Sequence, residues 1–451
     1  MQNLLTAVLI ASAFVSLNAR AGDLIEVYQQ ALANDAVYAS ARASQAAGRE
    51  RVAQGKAGLL PTVGLSGSMV RNDQSASPFN EGAVVTQNGV TGVVRGSGAA
   101  LNTSQYTLAL SQPLFRWDRW QSYEQSKLQQ AIAEAQFAQA QQDLITRVSQ
   151  AYFDVLGAQD TLESTRAQKT ATTEQLASAK RNFEVGTQTI TDTHEAQAAY
   201  DLVVAQEFAA VNDLENKQSA LQAIIGATPA SLATLKAGVA LASPQPALIA
   251  PWVASAENQN YGVVVSQLSL ELAKRDIARQ RAGHYPTLDL VASSTYNKVG
   301  GQSAQSGSAT NNAVGVQWSV PIFGGFAVTS RVRESIALEE RARNDLEATR
   351  RNASQSARQS YLGVNSGLAQ VKALEAAEIS SQSALDSNKL GYQVGVRINI
   401  DVLNAQRQLY STRRDLSRAR YDTIMSGLRL KAASGSLREE DLVPVNNLLQ
   451  K

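Results

Sequence analysis

Gly-Thr-Gln-Thr-Ile-Thr-Asp at residues 186–192 returns as Gly-Val-Arg-Ile-Asn-Ile-Asp at residues 395–401. The two copies stand 209 positions apart, and the same offset relates Ala-Tyr-Phe around Tyr152 to Ser-Tyr-Leu around Tyr361. Upstream, Gln-Pro-Leu-Phe at Pro113 pairs with Val-Pro-Ile-Phe at Pro321, and Ala-Gly-Leu-Leu-Pro-Thr at Pro61 pairs with Ala-Gly-His-Tyr-Pro-Thr at Pro286. The offsets there are 208 and 225, because 52 positions separate Pro61 from Pro113 and only 35 separate Pro286 from Pro321. An internal duplication therefore sets the architecture, with 17 extra residues in the first copy.

The glycine of each copy follows a long stretch with helical character. From Trp117 to Val185 there is no proline and one glycine, Gly157, and Leu128, Ile132, Leu144, Val148, Ala151 and Val155 recur at helical steps. At 1.5 Å per residue such a run extends about 100 Å, which suits a coiled coil. After Gly186 a second run, Thr193 to Ile225, heads back, so the expected unit is an antiparallel helical hairpin with the quoted segment at its tip. The second copy repeats this: Arg331 to Val394 lacks proline, turns at Gly395 and returns through Asn399 to Ala433. Frequent alanine, five in the ten residues from Ala131, favours close helix packing.

Between the helices the hydrophobic period changes from 3.6 to 2. Tyr106, Leu108 and Leu110 alternate with small or polar residues, as do Leu288, Leu290, Ala292 and Tyr296, and Val314, Val316, Trp318 and Val320. Pro61 to Val70 reads as a less regular fourth strand, and Arg71–Ala100 and Gly300–Asn312 have loop composition. Four strands cannot close a barrel alone, and an open edge is not acceptable in lipid. Three copies would supply twelve strands, an even number within the range of outer-membrane barrels. A soluble sheet packed on helices is the competing reading of the same alternation.

Composition narrows the function. Forty-four per cent hydrophobic and 6% aromatic residues in 451 favour long helices over a thick core. A net charge of +2 gives no field for nucleic acid, and the absence of cysteine excludes disulfides, thiolate metal sites and cysteine nucleophiles. Leu4 to Leu17 is an apolar run followed by Ala19-Arg20-Ala21, which reads as a signal peptide over 1–21 with cleavage before Gly22. No later stretch of about 20 apolar residues exists, so no transmembrane helix is expected. The two histidines, His194 and His284, fall in different elements, and Glu195 has no second histidine at zincin spacing. No metal, cofactor or catalytic constellation is expected.

The chain resembles the TolC-type outer-membrane channels, the outer membrane factor family. The resemblance runs end to end. It rests on Glu26-Val-Tyr-Gln-Gln-Ala31, Gly58-Leu-Leu-Pro61, Ala151-Tyr-Phe-Asp-Val-Leu156, Ile190-Thr-Asp192, Gly283-His-Tyr-Pro-Thr-Leu-Asp-Leu290, Ser319-Val-Pro-Ile-Phe323, Gly391-Tyr-Gln-Val-Gly395 and Asp401-Val-Leu403, in order and duplicated. It implies an α+β membrane protein: a homotrimer whose twelve-stranded outer-membrane β-barrel, four strands per chain, continues into a long periplasmic α-helical coiled-coil barrel. The implied partners are outer-membrane lipid, an inner-membrane transporter of ABC or RND type and a periplasmic membrane-fusion adaptor. In this layout residues 22–235 form the first repeat, with strands 61–71 and 101–115 and hairpin 117–225. Residues 261–434 form the second, with strands 286–299 and 312–323 and hairpin 327–433. Residues 236–260 are a proline-rich equatorial joint and 435–451 a tail.

The resemblance also implies a passive exit duct for efflux or type I secretion, gated at the periplasmic tip. Its latch falls by position on Tyr392, Arg397, Arg420 and Asp192, with Thr191 beside the last, and the hairpin tips on Gly186 and Gly395. Asp401 matches one of two aspartates that ring the narrowest constriction, while Asn404 stands where the family has the second. The substitution halves the fixed charge that the resemblance implies at the entrance. Exposed pairs contribute only about 0–1 kcal/mol each, which suits a latch that docking must break. A periplasmic coiled-coil adaptor or scaffold without a pore is the alternative, and it leaves the amphipathic strands unexplained.

Overall fold

The computed structural model describes residues 22–73, 84–87, 90–93, 100–229, 231–236, 238–301 and 306–450. The signal-peptide reading of 1–21 lies outside these residues. In chain order the elements are α1 (Leu24–Asn34), α2 (Ala36–Ala57), β1 (Thr62–Asp73), β2 (Val84–Gln87), β3 (Val90–Val93), β4 (Ala100–Phe115), α3 (Trp117–Glu184), α4 (Ile190–Ile225), α5 (Ile249–Gln259), α6 (Tyr261–Arg281), β5 (Thr287–Gly301), β6 (Gly307–Ser319), α7 (Ala327–Gln393), α8 (Asn399–Ala433) and α9 (Leu442–Asn446). They divide into two compact units. Among the described residues, one takes those up to Gln45, those from Glu134 to Ser266 and those from Asp345 onward, and the other those from Ala46 to Ala133 and from Gln267 to Asn344, so each unit draws on both copies of the repeat.

The smaller unit holds one four-stranded antiparallel sheet in the order β1-β4-β5-β6. Its register lines the side chains into two unlike faces. Val63, Leu110, Ala292 and Val314 form one row, Leu65 and Leu108 lie in the next, and Tyr106 stands opposite Tyr296 in a third. Those two rings stack at 6.5 Å. The other face carries Ser66, Thr107, Thr295 and Asn311 in one row, with Thr107 and Thr295 hydroxyls 3.2 Å apart. At the base of β5 the carboxylate of Asp289 is gripped by both Nε (3.1 Å) and Nη2 (2.6 Å) of Arg116. Among the described residues β1 and β6 pair on one side only, and every residue of both is exposed.

Two loop readings are corrected. Residues 71–100 contain the end of β1 and the β2–β3 hairpin, and residues 300–312 contain the end of β5 and the start of β6. Residues 74–83, 88–89, 94–99 and 302–305 of these segments are outside the described ones. A ladder is made by main-chain groups, so glycine- and serine-rich sequence can extend a hairpin that its neighbours have already aligned. At the other end β6 stops at Ser319, where Pro321 removes a donor, and Val320–Phe323 is not strand.

In the larger unit Leu24, Val27, Tyr28 and Ala31 on one face of α1 pack with Leu144, Val148 and Tyr152 of α3, Leu221 and Ile225 of α4, and Met425 and Leu428 of α8. Full burial of each leucine, isoleucine, valine or methionine among them stabilises by about 1.5–3 kcal/mol. The segment before α1, the segment after α4 and the tail close on this core. Gly22 N donates to Ser231 O (2.7 Å), Gln450 N to Thr234 O (2.7 Å), and Leu24 N to Asn446 Oδ1 (3.0 Å). The duplicated tyrosines fasten the connecting segments in the same way, since Tyr152 donates to Ala233 O at 2.7 Å and Tyr361 donates to Ala247 O. No described helix is long and apolar enough to cross a membrane.

Candidate functional site at the hairpin tips

Both hairpins turn through the same motif. Gly186 N donates to Phe183 O (3.0 Å) and Thr187 N to Asn182 O (2.9 Å), while Gly395 N donates to Tyr392 O (3.2 Å) and Val396 N to Gly391 O (2.9 Å). Each is the paired closure of a helix end that needs a left-handed residue. The glycines supply it, at φ 76° and 81°.

After the turns the copies diverge. Thr189 caps α4 in a reciprocal box: its hydroxyl accepts from Asp192 N (3.4 Å), and Asp192 Oδ2 accepts from Thr189 N (3.1 Å) and from Thr189 Oγ1 (2.8 Å). The equivalent of Thr189 in the second copy is Ile398, which has no side chain able to cap α8. Asp401, the equivalent of Asp192, is therefore free of that duty, and its Oδ2 lies 3.7 Å from Nη1 of Arg397.

Two further contacts join the tips within one chain. The Tyr392 hydroxyl donates to Gln188 Oε1 at 2.8 Å. Asn399 is fully buried, donating through Nδ2 to Asp192 O (3.0 Å) and accepting at Oδ1 from Gln175 Nε2 (2.7 Å). Beneath them Leu176, Ala179, Ala196 and Leu403 form an apolar plug, and the Tyr392 ring packs on Leu385, Val402 and Leu409.

Of the residues singled out from sequence, Gly186, Gly395, Tyr392, Arg397, Asp192 and Asp401 thus lie in these turns and helix starts. Thr191 and Asn404 are exposed, within the first two turns of α4 and α8. Arg420 stands apart. It is 19 residues beyond Asp401 on α8, about 28 Å at helical rise, and its Nη2 binds Glu375 Oε1 of α7 at 2.8 Å. Beside it Tyr421 donates to Asp160 Oδ2 at 2.8 Å. Sequence reasoning missed Gln175, Gln188 and Asn399. Aligning the copies flags the last, since Asn399 replaces Ile190 between two isoleucines.

Polar contacts of this kind hold and release without bond chemistry, and no cluster suited to a metal occurs among the described residues. A sheet with one apolar and one polar face and open edges, in a chain with two long helical hairpins tied at their tips, defines the class of outer-membrane channels with helical extensions. The chain belongs to the outer membrane efflux protein family, which it matches over residues 27–227 and 252–436.

It is 34% identical to the outer membrane protein TolC of Vibrio cholerae over 94% of this chain and 93% of that one. It is 31% identical to the alkaline protease secretion protein AprF of Pseudomonas aeruginosa over 93% and 85% of the respective chains. The crystal structure of the Campylobacter jejuni CmeC outer membrane channel shares the fold, with TM-score 0.77 at 17% identity over 95% of this chain and 90% of that one. The protein is a transport channel of the outer membrane that extends into the periplasm, and not an enzyme.

Proposed function

We propose that three copies close the sheet into a twelve-stranded barrel, and that the trimer is a passive exit duct for efflux, type I secretion or both. It works with an inner-membrane transporter of ABC or RND type and a periplasmic adaptor. The observation that carries this reading is the sheet itself: β1 and β6 expose their outer edges, which lipid does not tolerate and which copies of the same chain can pair. The apolar rows then face lipid and the Ser/Thr/Asn rows face water. Residues 22–235 and 261–434 act as repeats, with 236–260 and the tail at the equator.

The hairpin tips form the gate. Tyr392, Arg397, Asp192 and Thr191 latch it, Asp401 and Asn404 line its aperture, and Arg420 braces α8 to α7 through Glu375. Docking of the adaptor supplies the energy that releases the latch.

Single-channel conductance in planar bilayers tests this, comparing the wild type with the double variant Tyr392→Phe plus Arg397→Ser. A small steady conductance that rises in the variant is expected, from heat-resistant trimers in the outer-membrane fraction. No conductance in either protein would remove the pore, and equal conductances would place the gate elsewhere.

A further inference from the structure

The gate described above has one charged pair whose partners belong to two of its parts. Arg397 is assigned to the latch and Asp401 to the aperture, yet within one chain Nη1 of the first lies 3.7 Å from Oδ2 of the second. The comparison between the two repeats explains why. In the first copy the aspartate at this position is consumed by a capping box with Thr189, and Gln188 bonds the Tyr392 hydroxyl. In the second copy Ile398 replaces the threonine and Arg397 replaces the glutamine, so the first change removes the aspartate's cap and the second sets a cation beside it. Asn404, one helical turn further on, adds no charge.

We propose that Arg397 sets the ion selectivity of the duct by neutralising Asp401, so that the closed aperture carries three compensated carboxylates rather than an open anionic ring. This rests on the reading of the tips as the gate. Its consequence is that latch and filter are one device. Drawing Arg397 away, as docking must, both loosens the tip and uncovers the carboxylate, so the aperture becomes attractive to cations as it opens. Both side chains reach solvent, at 59% and 33% exposure, so the effect is electrostatic and screened. It is strong where the Debye length is about 10 Å, near 0.1 M salt, and fades near 1 M, where that length is about 3 Å.

The experiment is the reversal potential of reconstituted trimers under a KCl gradient at low ionic strength. Four proteins are compared: wild type, Arg397→Ser, Arg397→Lys, and the double variant Arg397→Ser plus Asp401→Asn. Weak selectivity is expected in the wild type and in Arg397→Lys. A several-fold rise in cation over anion permeability is expected in Arg397→Ser, abolished by the added Asp401→Asn. If Arg397→Ser raises conductance but leaves the reversal potential where it was, the inference falls while the gate stands. A rise that persists without the Asp401 carboxylate also overturns it, since some other charge must then be responsible. If none of the four proteins passes current, the pore reading itself fails and takes the inference with it.

Discussion

Asn399 and Asp192, from opposite hairpins, are joined by a hydrogen bond of 3.0 Å from the Asn399 amide to the Asp192 main-chain carbonyl. The same amide accepts from Gln175, so one buried side chain ties α8 to both α3 and α4. Because the acceptor is main chain, the contact survives exchange of the Asp192 side chain and fixes the position of the α4 helix start rather than its charge.

Asn399→Ala leaves Gln175 without its acceptor in a buried setting, which costs about 1–3 kcal/mol. The loss is local. Faster native-state hydrogen exchange at the first turns of α4 and α8, with raised conductance, is the expected outcome, and unchanged exchange there would show that the clamp does not hold the tips.

Gly186 and Gly395 test backbone conformation apart from packing. A Cβ at either would meet no atom within 4 Å, so only the left-handed φ penalises a side chain. Gly395→Val is expected to cost about 1–2 kcal/mol, whereas Gly395→Asn, which tolerates this region, stays near wild type. Thermal melting and exchange at the tip give the comparison, and equal behaviour of the two variants would refute it.

Asp35 makes a prediction about acid. Burial alone would raise its carboxyl, but hydrogen bonds from the Arg147 guanidinium (3.0 Å) and the Tyr38 main-chain N–H (2.6 Å) outweigh it and hold the carboxyl below its ordinary value of 3.8. The unfolded chain takes up this proton first as pH falls. The contribution to stability is therefore complete above about 3.8 and disappears as pH drops through the lower folded value. Asp35→Asn should flatten the wild-type fall in melting temperature within that window, and parallel curves would rule the assignment out.

Asp160 behaves oppositely. Burial pushes its carboxyl up, and the hydrogen bonds from Tyr421 and Ser417 only partly offset this. Between 3.8 and the raised value the folded chain holds a proton that the unfolded chain has released, so stability falls as pH rises through that interval. Replacing Asp160 by Asn keeps an acceptor for the Tyr421 hydroxyl and removes the ionisation. The melting temperature of the variant relative to wild type should climb from acid to neutral pH, and a constant difference would contradict the argument.

Much of the architecture was readable beforehand because it rests on periodicity. The hairpins of α3 with α4 and α7 with α8, their glycine turns and the amphipathic strands follow from spacings of 3.6 and 2 and from a repeat that states each feature twice. The strand ends at Asp73, Gly301 and Gly307 were not readable, since ladder hydrogen bonds belong to the main chain and leave no mark in glycine- and serine-rich sequence. That Tyr392, Arg397, Asp192 and Asp401 lie at the tips followed from the repeat, but their bonding partners did not. Gln188 bonding Tyr392 and Asn399 bonding Asp192 join residues about 200 positions apart, and no local pattern encodes such a distance.

The sequence alone thus determined the duplication, the alternation of helix and strand, and the family, because these depend on local order along the chain. Only the tertiary structure decided what each charge does. Asp192 caps its own helix while its repeat counterpart Asp401 faces Arg397, and Arg420 sits beside Glu375, far along α8 from the tip. Charged side chains are long and rotatable, so their partners are chosen by which elements packing brings within about 3–4 Å, and that choice is made in space rather than in sequence.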